Sequence, residues 1–154
     1  MDPFVFSTTD QIVFKPGAST MLGSLVGARL GRTALLVTDP GVRKLGLCDP
    51  AIESLKATGV GVAVFDGVEP DPSRATVMSA VEFARQRRVT GVIGVGGGSS
   101  LDVAKLVALL CGSNEDLNDA WGVGNAKGPR LPLVLVPTTA GTGSEVTTYS
   151  IITL

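Results

Sequence analysis

The chain of 154 residues contains no histidine. That absence excludes a Ser-His-Asp triad, an imidazole acid–base step and any histidine-ligated metal centre built from this sequence alone. Cysteine is scarce: Cys48 and Cys111 stand in separate segments. Two such distant thiols do not make a thiolate zinc site. Nothing pairs them as a disulfide, so free, buried thiols in a reduced cytoplasm are expected. Charge is scarce as well, at 18% of residues, with 13 basic and 14 acidic side chains and a net charge of −1. Without a basic excess, neither nucleic acid nor an anionic membrane is expected as a partner. No apolar run approaches the ~20 residues of a membrane span. The opening "MDPFVFSTTDQ" lacks the basic and apolar regions of a signal peptide. A cytoplasmic location follows as an expectation.

What the chain does have is apolar content, at 44%, and glycine, with 20 residues. It can bury a sizeable core in one domain or most of one. Apolar, β-rich runs alternate with helical patterns. Short strands are predicted over Gln11 to Phe14, Thr33 to Thr38, Gly61 to Phe65, Gly91 to Val95, Leu131 to Pro137 and Thr147 to Leu154. Helices are predicted over Ala18 to Arg29, Pro50 to Thr58, Ser73 to Arg88 and Ser99 to Cys111. In the third of these, Val77, Ala80, Val81 and Ala84 share one face, and the charged residues lie largely elsewhere. Strands apolar on both faces and separated by helices indicate an α/β domain, a doubly wound and mostly parallel sheet. The chain stops inside an apolar strand pattern, "TTYSIITL". It is therefore expected to be the truncated N-terminal domain, residues 1–154, of a larger protein.

The stretch "GVIGVGGGSSLDVAK", Gly91 to Lys105, runs a buried strand into a glycine triplet and then a helix. Ligands of open α/β sheets bind beyond the C-terminal strand ends. Gly96, Gly97 and Gly98 tolerate positive φ and leave no Cβ in the way. The following helix presents free N–H groups and about half a positive charge, suited to an anion such as phosphate. The pattern is neither a P-loop nor a strict G-x-G-x-x-G. A tight strand–helix turn without any ligand is the competing reading. Ser99-x-x-Asp102 reads equally as a capping box, with Lys105 pairing to Asp102 one turn on. Asp39 ends another buried strand and is placed either to hold ribose hydroxyls or to start an Asp-Pro-Gly turn. The ribose role requires a strand order that brings it beside the glycine turn. "PTTAGTGSEVTTY", Pro137 to Tyr149, offers hydroxyls and bare N–H groups at a third strand end, or is simply a polar loop.

Taken together, these motifs resemble the iron-containing (group III) alcohol dehydrogenases. The family pattern Gly-Gly-Gly-Ser-x-x-Asp-x-Ala-Lys matches Gly96 through Lys105, and Pro-Thr-Thr-Ala-Gly-Thr-Gly-Ser-Glu-Val-Thr matches Pro137 through Thr147. "VTDPG" and "GVEPDP" match in kind and order. The resemblance implies a Rossmann-like domain that binds NAD, with hydride passing between an alcohol and the nicotinamide. It implies that Gly97, Gly98 and Ser99 form the pyrophosphate turn, that Asp39 lies near the adenosine ribose, and that Asp102 lies near the nicotinamide. Thr138, Thr139, Thr142, Thr147 and Tyr149 correspond to further cofactor contacts. Asp71 stands where relatives often carry Asn. The family's Fe²⁺ or other divalent metal is held by one Asp and three His of a helical C-terminal domain, absent from this chain. The 154 residues alone are therefore expected to lack turnover. An alcohol or aldehyde substrate and a homo-oligomer are expected. The polyol dehydrogenase, maleylacetate reductase and dehydroquinate-synthase-like branches share the glycine turn. A non-catalytic nucleotide-binding module, or a binder of sugar phosphates, is the reading from outside the family.

Overall fold

The computed structural model describes residues 8–153. Residues 1–7, the start of the segment read for a leader, and Leu154, the end of the last predicted strand, lie outside the described residues. Four parallel strands form one sheet in the order β2-β1-β3-β4. They are β1 (Thr33–Val37), β2 (Gly61–Phe65), β3 (Gly91–Gly96) and β4 (Leu133–Pro137). A 3₁₀ turn, Ala18–Met21, leads into helix α1 (Leu22–Leu30). The other helices are α2 (Pro40–Lys44), α3 (Asp49–Ala57), α4 (Arg74–Gln86) and α5 (Gly98–Ser113).

The strand period of two sorts each apolar run onto both faces of the sheet. Leu35, Val37 and Val92 join α4 and α5 in one core. Ala34, Leu36, Ile93 and Val95 join α1 and α3 in the other. This is why "TALLV" and "GVIGV" read as unbroken apolar runs: both central strands are covered on both sides. The expected doubly wound architecture is the observed one. The predicted face of α4, Val77, Ala80, Val81 and Ala84, is its buried face. The Ser73 hydroxyl accepts from Thr76 N at 3.2 Å and caps that helix. Gly94 lets α5 lie close on β3, since a Cβ there would sit 2.9 Å from the Ala104 Cβ. That contact holds the start of α5 directly beyond the end of β3. Asn114, at φ +59°, closes the helix at its other end.

Four local expectations need correction. Gln11 to Phe14 is not a strand: it has no ladder, and Phe14 is fully exposed. Its β-forming residues have no sheet edge beside them. The helix predicted from Ala18 begins as a 3₁₀ turn, and α1 proper starts at Leu22. Asp39-Pro40-Gly41 opens a one-turn helix, because Pro40 at its first position needs no N–H partner. Thr147 to Thr153 forms no strand beyond one isolated bridge from Thr153 to Ser73. Both cysteines are free; Cys48 is buried, but Cys111 is only half-buried. No helix among the described residues is long and apolar enough to cross a membrane.

Candidate functional site

The chain moves outward from β1 to β2, then returns to place β3 on the other side of β1. The crevice between the ends of β1 and β3 is thus a topological switch point, where ligands of open α/β sheets bind. Asp39 stands just beyond β1, and the glycine triplet closes β3. The two meet: Asp39 Oδ2 accepts from the Ser100 hydroxyl at 3.5 Å. The other oxygen, Oδ1, accepts from Val42 N at 2.9 Å and caps α2. So Asp39 is a turn and cap residue with one oxygen, and faces the glycine turn with the other.

The three glycines differ in what the chain requires of them. Gly96 has φ +148°, and a Cβ there would lie 2.7 Å from Ser100 Oγ and 2.8 Å from its Cβ. Both its backbone conformation and its neighbours demand glycine. Gly98 carries the Thr142 loop, whose Cγ2 would lie 3.1 Å from an added Cβ. Gly97 has ordinary extended angles, φ −79° and ψ −176°. A Cβ there would meet only Thr139, at 3.5 Å, an ordinary contact. Nothing within the chain requires Gly97 to be bare.

Helix α5 starts at Gly98 and has no side-chain cap. Its first N–H groups, at Gly98, Ser99 and Ser100, have no partner within the helix. By contrast α2 and α4 are capped by Asp39 and Ser73. The capping box, one of the two readings of Ser99 and Asp102, is not formed. The helix begins one residue before Ser99, so its hydroxyl is past the cap position, and the Asp102 side chain is turned inward. Asp102 is 6% exposed. Its Oδ2 accepts from Ile151 N at 2.9 Å, and its Oδ1 lies 2.8 Å from Lys105 Nζ. The expected Asp102–Lys105 pairing is present.

Thr138 joins the glycine turn through its backbone, with its N donating to Gly96 O at 2.9 Å. Thr139 and Thr142 border Gly97 and Gly98, and all three threonines are exposed. Thr147 and Tyr149 lie further along the same loop and are also exposed. Ser99 is half-buried in the first turn of α5. The structure therefore gathers Asp39, Gly97, Gly98, Ser99, Thr138, Thr139 and Thr142 around one strand-end shelf. It does not bring Asp102 to that surface. Ser100, the partner of Asp39, was missed by sequence reasoning; the second serine of "GGGSS" was its only signal. One surface depression lies away from this shelf, beside Glu115, Asp119, Asn125 and Lys127. Burial pushes the Cys48 thiol above its ordinary value, against a hydrogen bond to Thr38 that pulls it down.

Sheet, crevice and helices define a doubly wound α/β domain with an open shelf at its switch point. The family model described as iron-containing alcohol dehydrogenase matches residues 9–154. The chain belongs to that family. It is 44% identical over 140 residues to the choline dehydrogenase of Bacillus subtilis, covering 89% of this chain and 35% of the relative. It superposes on a crystal structure of 1,3-propanediol oxidoreductase with a TM-score of 0.92 at 36% identity, over 99% of this chain and 40% of that one. It is similar also to NADH-dependent butanol dehydrogenase A of Thermotoga maritima, with a TM-score of 0.87 at 35% identity, over 99% and 39% of the two chains. The chain thus spans between 35% and 40% of the length of these relatives.

Proposed function

We propose that this chain binds NAD along the C-terminal edge of its sheet. It is the cofactor-binding part of a dehydrogenase that passes hydride between a small alcohol and the nicotinamide. The observation that carries this reading is Gly97. It lacks a side chain with no strain and no clash to account for it, directly before an uncapped helix end. A diphosphate laid against Gly97 would accept from the free N–H groups of Gly98 and Ser99 and meet the positive end of α5. Asp39 Oδ2 would accept from the hydroxyls of the adenosine ribose. Since β1 and β4 flank β3, a dinucleotide fixed at Asp39 and at Gly97 must run its other half toward the β4 loop. The Thr138, Thr139 and Thr142 hydroxyls border that path. Bound there, the nicotinamide would supply the hydride acceptor for oxidation of an alcohol to its carbonyl compound, with release of a proton. The chain's own residues bind and orient.

The names of the relatives above, all oxidoreductases of small hydroxyl compounds or their carbonyls, support the substrate class. The family's name implies iron. The chain has no histidine to offer it, and the described residues gather no cluster of three or more His, Cys, Asp or Glu. Within this reading the protein works as a homo-oligomer in the cytoplasm.

The test is calorimetric titration of the chain with NAD and with NADP. A carboxylate at Asp39 would repel the extra phosphate; two unit charges ~4 Å apart at an effective dielectric of ~20 interact by about 4 kcal/mol before solvent discounting. NAD should bind, and NADP at least tenfold more weakly. No binding of either sinks the reading, and equal binding of both removes Asp39 from it.

A further inference from the structure

The segment from Thr147 to Ile151 has no helix and no strand to satisfy its backbone. It is held by two side chains of α5 instead. Lys105 Nζ donates to the carbonyls of Tyr149 and Thr147, the latter at 3.5 Å, and lies 2.8 Å from Asp102 Oδ1. Its hydrogen bonds go to the two backbone carbonyls, and its contact with Asp102 Oδ1, a buried oxygen with no hydrogen-bond partner, is that of an ion pair. Asp102 Oδ2 accepts from Ile151 N at 2.9 Å, and the Ser150 hydroxyl donates to Asp102 O at 3.2 Å. Both charged side chains are nearly out of solvent, at 9% and 8% exposure.

A buried ion pair is weak evidence for stability, since apolar residues of similar volume often serve packing as well. What an apolar pair cannot do is bind carbonyls and an N–H group at fixed points. This pair grips the backbone of the segment while the side chains on it stay exposed, with Tyr149 at 57%. The segment continues the β4 loop. It leaves that loop beside the path proposed above for the nicotinamide half, crosses α5 at Asp102 and Lys105, and ends at Thr153, which bridges to Ser73 before α4.

We infer that Lys105, paired with Asp102, is a positioning residue. It holds the Thr147 to Ile151 backbone so that Thr147 and Tyr149 form the wall for the nicotinamide half of the cofactor. Asp102 takes part through this backbone and not by touching the ligand. The inference rests on the NAD reading above and adds one consequence. Loosening the clamp must weaken binding of the nicotinamide half alone.

The probes are NAD and ADP, which share the adenosine and diphosphate but not the nicotinamide. Both are titrated calorimetrically into the parent chain, Lys105→Met, and the double variant Asp102→Asn with Lys105→Met. The double variant leaves no buried charge unpaired and keeps an acceptor for Ile151 N, so it answers where Lys105→Met alone fails to fold. The expected result is at least a fivefold loss of NAD affinity with less than a twofold change for ADP. A merely structural role would weaken both ligands alike. Equal losses, or no loss of NAD binding in a folded variant, would overturn the inference. A parent that binds neither ligand would instead bring down the NAD reading, and this inference with it.

Discussion

Replacing Gly97 by valine separates a glycine kept for folding from one kept for a ligand. The backbone at Gly97, φ −79° and ψ −176°, is extended and open to any residue, and a Cβ finds only Thr139 at 3.5 Å. Valine is a poorer N-cap than glycine, by about 0.5–1 kcal/mol. It also restricts the unfolded chain, which returns about 0.4–1 kcal/mol. Net stability should stay within about 1 kcal/mol of the parent, a shift in Tm of no more than about 4 °C for a domain of this size. Binding should respond differently. The two methyl groups would stand over the N–H groups that open α5, and a diphosphate would lose at least one charge-assisted hydrogen bond. That costs about 1.5–3 kcal/mol, roughly a 10- to 150-fold rise in Kd for NAD. Gly96→Ala is the control with the opposite sign. At φ +148°, with Ser100 Oγ 2.7 Å from the new Cβ, it should destabilise the fold by about 1–3 kcal/mol. Thermal melts and calorimetry on both variants decide. An unchanged Kd in Gly97→Val would refute the reasoning. So would a loss of stability as large as that of Gly96→Ala.

Further outcomes are expected. Asp39→Gly costs the α2 cap only a few tenths of a kcal/mol, and should reduce or reverse the preference for NAD over NADP; a retained preference would assign discrimination elsewhere. NAD at about 100 times its Kd should stabilise the chain by about 2.7 kcal/mol, a rise in Tm of roughly 5–10 °C; no shift in a folded sample that binds NAD would contradict the linkage. Leu35→Ala, at a fully buried site between β1 and the α4–α5 layer, should cost about 2–5 kcal/mol in denaturant unfolding. Burial raises the Cys48 and Cys111 thiols above their ordinary values. The stability linked to their neutral forms is complete below the unfolded thiol pKa and is lost as pH rises through the folded values. At neutral pH both should alkylate far more slowly than in the unfolded chain; equal rates would show that burial does not protect them.

The sheet was legible because its central strands are buried on both faces. After Thr33, "TALLV" and "GVIGV" have no polar residue to blur the pattern, and the observed β1 and β3 fall on those runs. The amphipathic face of α4 was legible for the related reason that one side meets the sheet and the other meets water. The partnership of Asp39 with the glycine turn was not legible. It depends on the order β2-β1-β3-β4, a long-range fact that no local pattern carries. The segments Gln11 to Phe14 and Thr147 to Thr153 were misread for a common reason. Their β-branched and aromatic residues favour an extended backbone, but a strand also needs a neighbour, and composition does not report one. For the second segment the backbone partners are the side chains of Asp102 and Lys105 and, at Thr153 alone, the backbone of Pro72 and Arg74. At the start of α5 the Ser-x-x-Asp spacing imitated a capping box. The helix starts from a bare glycine instead, and its N–H groups stay open.

Those open N–H groups are the central claim, and amide resonances report on them directly. The measurement is an NMR titration of the labelled chain with NAD. The account predicts the largest shifts at Gly97, Gly98, Ser99 and Ser100, with further shifts at Asp39 and from Thr138 to Thr142. Binding that leaves the Gly97 to Ser100 amides unmoved, or that centres on the depression at Glu115 to Lys127, would contradict it.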